Sequence, residues 1–161
     1  MEEKQLNITY QLFKQAADLA VDEQNLLSAA SEATQHAYAP FSQFQVGAAV
    51  LLENGQIVYG NNQENKAFPS GLCAERVALF SIGSQSKGKE VRKMAIRATS
   101  KIRDIHEPCM PCGACRQVML EYEQMGEQDW VVLMQGESGD ILRVVGVSKS
   151  LLPFHFDTDF S

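Results

Sequence analysis

Three cysteines lie within seven residues of each other, at Cys109, Cys112 and Cys115, and a fourth cysteine is Cys73. Clustered thiols of this kind favour metal binding or redox chemistry when the chain is expected in a reducing compartment. Cys112 and Cys115 are three residues apart, so on a helix they share one face and reach the same ion. Cys73 supplies a third thiolate if the fold brings it to that helix.

Composition limits the functions that such a chain can carry. The 161 residues are expected to form one compact domain spanning the whole sequence, 1–161. A net charge of −6 argues against a surface that binds nucleic acid. The longest apolar run, residues 46–52, is far below the ~20 residues that span a bilayer. The polar amino end lacks the apolar core of a secretory signal, so we expect a soluble cytoplasmic protein.

Apolar periodicity and turn residues predict alternating helices and strands. The predicted helices cover residues 9–36 (capped by Thr9), 72–82 (capped by Ser70) and 112–124 (with Pro111 as the first helical residue). The predicted strands cover residues 46–52, 57–61, 91–99, 130–134 and 141–147, with turns at Asn54-Gly55 and Ser138-Gly139. This order predicts an α/β fold in which a sheet of about five strands packs between layers of helices.

The two cysteine motifs are predicted to open two helices. Cys73 begins the sequence Cys-Ala-Glu-Arg, and Cys112 and Cys115 belong to Pro-Cys-Gly-Ala-Cys-Arg-Gln. Free N–H groups and the helix dipole at such positions favour thiolates. Three protein ligands with an open fourth position are typical of catalytic zinc, which lowers the pKa of a water bound there.

The charged residues beside these cysteines have distinct predicted roles. Glu75 is two residues from Cys73 and therefore lies on a different helix face, so it is not expected to bind the same ion. A carboxylate at that place is suited to take a proton from a water at the metal and pass it on. Arg76 and Arg116 each follow a ligand closely, and we expect them to offset the thiolate charge by hydrogen bonding to sulfur.

The spacing Cys-x-Glu … Pro-Cys-x-x-Cys resembles that of zinc-dependent nucleobase deaminases. The chain is similar to the cytidine deaminase family, in particular its small homotetrameric branch with three cysteine ligands. The resemblance also covers residues 39–48, 62–65 and 151–156, which favour a free nucleoside as substrate. It implies a three-layer α/β/α fold with a mixed sheet, and the zinc-dependent hydrolysis of cytidine, and of 2′-deoxycytidine, to the uracil nucleoside and ammonia in pyrimidine salvage.

The resemblance also implies a role for individual residues. Cys73, Cys112 and Cys115 would hold Zn²⁺, and Glu75 would move the proton from water to N3 and then to the leaving ammonia. The implied substrate-binding residues are Asn62 and Glu64 at the sugar 3′-hydroxyl, Phe44 at the pyrimidine, the backbone of Ala74 at the base edge, and Phe156 from a neighbouring subunit. Arg76 matches the family's thiolate-bonding arginine. The implied assembly is a homotetramer with shared active sites.

Three alternatives remain open on the sequence. A deaminase of a cytosine-containing antibiotic would share the zinc motifs. A non-catalytic structural zinc module would use Cys109, which the family usually lacks, as a fourth ligand. A thiol-redox function would use Cys112 and Cys115. Because Pro111 holds Met110 extended, we expect Cys109 to lie away from the helix face as a spare thiol.

Overall fold

The computed structural model describes residues 1–86 and 88–156, and its six strands form one mixed sheet. The strands are β1 (Gln11–Phe13), β2 (Phe44–Leu52), β3 (Ile57–Asn61), β4 (Val91–Ser100), β5 (Val131–Gln135) and β6 (Ile141–Val145). They lie in the order β1-β6-β5-β4-β2-β3. The β4–β5 pair is parallel, and the other neighbouring pairs are antiparallel. The predicted sheet is confirmed, with β1 as an additional strand.

Three helices cover the two faces of the sheet: α1 (Val21–Thr34), α2 (Ala74–Gln85) and α3 (Gly113–Gln124). Buried residues of α1 such as Leu26 pack with Ala95 and Leu133 on one face. Buried residues of α2 and α3 pack on the opposite face, among them Leu79 and Met119. The predicted three-layer arrangement is therefore confirmed. None of the helices within the described ranges is both long and apolar enough to cross a membrane.

The amino-terminal helix is shorter than the sequence predicts. It begins at Val21 rather than at Thr9, and residues 11–13 form β1 instead, with Leu12 opposite Leu142 of β6. The predicted start at Thr9 is wrong because apolar residues in this segment fit helical spacing but also alternate, which is the period of a strand. A short 3₁₀ turn, Ala16–Asp18, separates β1 from α1.

Two cysteines occupy the N-cap positions of the other helices. Cys73 is the N-cap of α2 and Cys112 is the N-cap of α3, so both helices start one or two residues later than predicted. Ser70 instead ends a 3₁₀ turn, Phe68–Ser70, and Pro111 precedes α3 rather than opening it. The result is that these thiols lie where unpaired helix N–H groups point.

A glycine in β3 permits the close approach of α2 to the sheet. A Cβ atom added to Gly60 would lie 2.3 Å from the carbonyl oxygen of Ala74 and 2.5 Å from the amide nitrogen of Ala78. Only a residue without a side chain fits there. Gly60 therefore sets the position of the helix end that carries Cys73.

The predicted hairpin between β2 and β3 is also confirmed, with Gly55 at a φ of 83°.

Candidate metal centre and active site

The thiols of Cys73, Cys112 and Cys115 converge, with all three Sγ atoms within 4.8 Å of one another. Cys73 Sγ lies 3.9 Å from Cys112 Sγ, and Cys112 Sγ lies 3.5 Å from Cys115 Sγ. Tetrahedral coordination with Zn–S bonds of about 2.3 Å places two sulfurs about 3.8 Å apart. The donor set therefore fits zinc in both chemistry and spacing.

Cys109 is not a member of this cluster within the described part of the chain. It is partly buried against the core that α2 and α3 share. Burial raises the pKa of the Cys109 thiol to about 12, and the nearby negative charges of Glu75 and Cys73 add to the rise. A thiol that stays protonated is a poor metal ligand.

Arg76 lies against the thiol cluster. Its Nη2 atom is 3.7 Å from Cys73 Sγ. The pKa of Cys73 falls to about 5, chiefly because the Cys115 thiol hydrogen-bonds to it, with Arg76 as a further cause. The Nε atom of Arg76 is buried and has no hydrogen-bond partner among the described residues. The structure thus places Arg76 beside the sulfur of Cys73, and the N–H group at Arg76 Nε is not used by any described residue.

Arg116 differs from the prediction. Its Nε donates to the carbonyl of Pro111 and its Nη1 donates to the carbonyl of Leu151, both at 2.9 Å. The expectation that Arg116 hydrogen-bonds to sulfur was therefore wrong. The side chain thereby joins the turn before α3 to the end of a short π-helical segment, Val147–Leu151.

Glu75 is buried in the first turn of α2, with a relative exposure of 4%. Burial raises the pKa of Glu75 to about 7, and the charge of Cys73 contributes to the rise. The side chain is also within hydrogen-bonding reach of Cys115. A carboxyl group thus lies beside the thiols without being one of the clustered ligands.

A surface cavity of about 520 Å³ opens beside Cys73. Polar loop residues and two aromatic rings line it together: Phe41, Ser42, Asn62, Gln63, Glu64, Asn65, Phe68, Gly71, Leu72 and Cys73. Ligand sites for small molecules are usually cavities of this size with a few polar groups. The structure therefore brings together the predicted pair Asn62 and Glu64 and one predicted metal ligand.

Both members of this pair already have partners in the protein: Asn62 holds the start of β2, and Glu64 holds the loop that precedes it. Asn62 Oδ1 accepts from the amide of Val46 at 2.8 Å, and Asn62 Nδ2 donates to the carbonyl of Phe44 at 2.9 Å. Glu64 accepts from the amides of Phe41 and Ser42, and the Ser42 hydroxyl is the main cause of its lowered pKa. Each side chain retains capacity for one more partner, since an amide has two N–H donors and a carboxylate about four acceptor sites.

The other predicted substrate residues lie outside the lining of this cavity. Phe44 lines a second cavity of about 400 Å³ together with Cys109 and Met110. Ala74 is fully buried at the first position of α2. Phe156 is 71% exposed, and its carbonyl accepts from Gln117 Nε2 at 3.2 Å.

Two aromatic residues of the cavity, Phe41 and Phe68, are not among the residues that the sequence predicted. The rings of Phe41 and Phe68 meet edge to face, with centroids 5.9 Å apart. Both are exposed, with Phe68 at 75%. Phe41 lies inside the family-like segment 39–48, which is the available signal, but that segment also contains Phe44, the residue that the resemblance implies at the pyrimidine. Phe68 had no comparable signal.

Comparisons with known proteins agree with this geometry. Residues 20–134 match the family described as the cytidine and deoxycytidylate deaminase zinc-binding region. A cytidine deaminase of Halalkalibacterium halodurans is 40% identical over 139 residues, which cover 86% of this chain and 97% of that protein. The crystal structure of a cytidine deaminase from Burkholderia pseudomallei aligns with a TM-score of 0.69 at 38% identity, over 82% of this chain and 97% of that one. The cytidine deaminase of Mycobacterium tuberculosis aligns with a TM-score of 0.65 at 30% identity, over 86% and 100%.

Proposed function

Because this chain belongs to the cytidine and deoxycytidylate deaminase family, we propose how its residues divide the work of removing the 4-amino group of cytidine. The protein is a zinc-dependent hydrolase that converts cytidine to uridine and ammonia. The observation that carries the assignment is the position of buried Glu75 beside three converging thiols. When bound there, zinc supplies a Lewis acid that makes hydroxide available near neutral pH.

Glu75 is the proton carrier of the reaction. Its carboxylate takes the proton that water loses as oxygen bonds to C4, and delivers that proton to N3 of the ring. The same carboxyl group then takes the remaining proton from the hydroxyl on C4 and gives it to the amine, so the C4–N bond breaks, ammonia leaves and C4 becomes a carbonyl. The support for this role is position, because Glu75 is adjacent to the thiols yet is not a member of their cluster.

Asn62 and Glu64 bind the sugar of the nucleoside through its 3′-hydroxyl. Their support is the shared cavity with Cys73 and the hydrogen-bonding capacity that their contacts with the loop and with β2 leave free. A 3′-hydroxyl is present in both ribose and deoxyribose, so we also assign 2′-deoxycytidine as a substrate. We assign Phe44 to the pyrimidine ring and the backbone of Ala74 to the base edge.

Arg76 balances the charge of the ligand thiolates, supported by its contact with Cys73. Phe156 completes the site of a neighbouring subunit in a homotetramer. The support is the exposure of Phe156, 71%, on a segment that is anchored to α3 through Gln117. We place the enzyme, as one domain over residues 1–161, in cytoplasmic pyrimidine salvage, acting on free nucleosides rather than nucleic acid.

The test compares the wild type with Glu75→Gln, measuring both the ultraviolet absorbance change of cytidine and the zinc content. We expect kcat to fall by about 10²–10⁴-fold in the variant with one zinc per chain retained. Undiminished activity in Glu75→Gln would refute its role as the proton carrier. A zinc-loaded wild type that converts a cytosine-containing antibiotic in preference to cytidine would move the assignment to that substrate class.

A further inference from the structure

We propose that the second cavity, which Phe44, Cys109 and Met110 line, receives the substituent at C5 of the pyrimidine, so that the enzyme also deaminates 5-substituted cytidines. Cys109 is then the residue that limits the size of this substituent. The inference rests on the proposed function and adds to it a substrate class and a specificity-determining residue. The reaction is unchanged, since 5-methylcytidine and water give 5-methyluridine and ammonia.

The proposed roles of the other residues leave one edge of the pyrimidine ring without a wall. N1 carries the sugar, which Asn62 and Glu64 bind, and N3 receives a proton from Glu75. The two ring neighbours of the reacting atom C4 are N3 and C5, so C5 points away from the edge that Glu75 serves. C5 and C6 carry only C–H bonds, and burial of this edge against an apolar wall is favourable.

Cys109 lies close to the reaction centre. It precedes the metal ligand Cys112 by three residues, which span at most about 11 Å between Cα atoms. The negative charges of Glu75 and Cys73 both act on its thiol, where they help to raise its pKa. Its side chain packs against the core that includes Ala74, the first residue of α2. These relations place Cys109 beside the part of the site where C4 reacts.

The chemistry of Cys109 also suits a C–H edge. Burial raises the pKa of its thiol to about 12, so the side chain carries no charge near neutral pH. A protonated, buried cysteine behaves as a small hydrophobic residue. Phe44, which we assign to the pyrimidine ring, lines the same cavity, so the aromatic ring and the thiol border one space.

The second cavity has room for a substituent on C5. Its volume is about 400 Å³, whereas a methyl group is similar in size to one water molecule, which occupies about 30 Å³ in the liquid. The inner wall includes the half-buried side chains of Phe44 and Cys109 and the buried Ile105. Arg103 and Glu107 are exposed, so they border the side that is open to solvent.

Cys109 sets the room at the inner wall because it is less free to move than Met110. Met110 is 45% exposed, and its unbranched side chain with three rotatable bonds can turn into solvent. Cys109 instead has the packed core behind it. Extra atoms forced into a packed core are unfavourable, so a larger side chain at this position projects into the cavity.

The test measures kcat/KM for 5-methylcytidine and for cytidine by ultraviolet absorbance, on the zinc-loaded full chain. We expect the wild type to give a ratio of 5-methylcytidine to cytidine within about tenfold of one. Cys109→Leu narrows the cavity by more than a methylene, so we expect this ratio to fall about tenfold or more. The matched control Lys101→Leu places the same side chain on an exposed part of the same loop, outside the cavity lining, and is expected to keep the wild-type ratio.

A second variant tests the same wall in the opposite direction. Cys109→Ala enlarges the cavity, so we expect the ratio of kcat/KM for 5-iodocytidine to that for cytidine to rise about tenfold. Cys109→Ser nearly preserves the size of the side chain and is expected to keep both wild-type ratios. Comparing ratios with those of the wild type removes the difference in intrinsic reactivity between the substrates.

The outcomes separate this inference from the proposed function. A wild type that converts cytidine but gives 5-methylcytidine a ratio far below one tenth would overturn the inference and leave the proposed function intact. Conversion of neither substrate would remove the proposed function and this inference with it. Equal ratios in Cys109→Leu, Cys109→Ala and Lys101→Leu would overturn the role of Cys109.

Discussion

Arg116 donates from Nη1 to the backbone carbonyl of Leu151 at 2.9 Å, across 35 positions of sequence. The same guanidinium donates from Nε to the carbonyl of Pro111, the residue before Cys112. The turn that presents two metal ligands is thereby tied to the segment that leads to Phe156. The zinc site and the carboxyl-terminal segment are thus joined through one side chain.

We expect Arg116→Gln to weaken zinc binding about tenfold, because residues that orient metal ligands contribute at that level. Loss of the bridge frees the turn at Pro111 without removing a ligand. The measurement is zinc transfer to a coloured chelator, with Arg103→Gln on an exposed loop as the control. If the two variants released zinc at the same rate, the bridge would have no part in holding the metal.

Cys109→Ser is expected to keep one zinc per chain and to change activity less than twofold. Cys109 is outside the three-thiol cluster, and burial holds its pKa high. Cys115→Ser is the matched variant and is expected to lose the metal, since three ligands are needed for a stable site. The measurement is the zinc content of the two purified variants by mass spectrometry. Loss of zinc from Cys109→Ser would instead indicate a four-thiolate site.

Gly60→Ala is expected to destabilise the protein by about 1–3 kcal/mol, the usual cost of forcing an extra carbon into a packed interior. The added Cβ would meet the backbone of Ala74 and Ala78, which cannot move without shifting α2. Urea unfolding measures the effect. Gly113→Ala, where nothing lies within 4 Å of an added Cβ, serves as the control and is expected to be neutral.

Glu123→Gln is expected to destabilise the fold by about 2–4 kcal/mol, because a charged acceptor of several hydrogen bonds is replaced by a group that is partly a donor. The buried carboxylate accepts from the amides of Trp130, Val147 and Ser148 at 2.9, 2.9 and 3.1 Å. Glu121→Gln, an exposed position of the same helix, is the control. Equal melting temperatures for the two variants would contradict this role.

The parts that the sequence predicted well depend on short separations along the chain. The hairpin at Asn54-Gly55 follows from two turn residues, and Cys112 and Cys115 are brought together by one turn of helix. The alternation of Leu6, Ile8, Tyr10 and Leu12 was also present, but the helical spacing of nearby alanines obscured it. When helical and strand periods overlap in one segment, the choice between them depends on whether a strand is available for pairing. In this protein β6 is that strand, and it pairs with residues 11–13.

By itself, the sequence determined the layered α/β fold, the three thiols and the carboxyl group beside them, because each is encoded by residue type and local spacing. The tertiary structure alone decided that Arg116 bridges Pro111 and Leu151 rather than contacting sulfur. It also decided that Phe41, instead of Phe44, lines the cavity beside Cys73. These outcomes depend on which distant segments pack together, and the direction of a side chain from a loop is fixed by such packing rather than by periodicity.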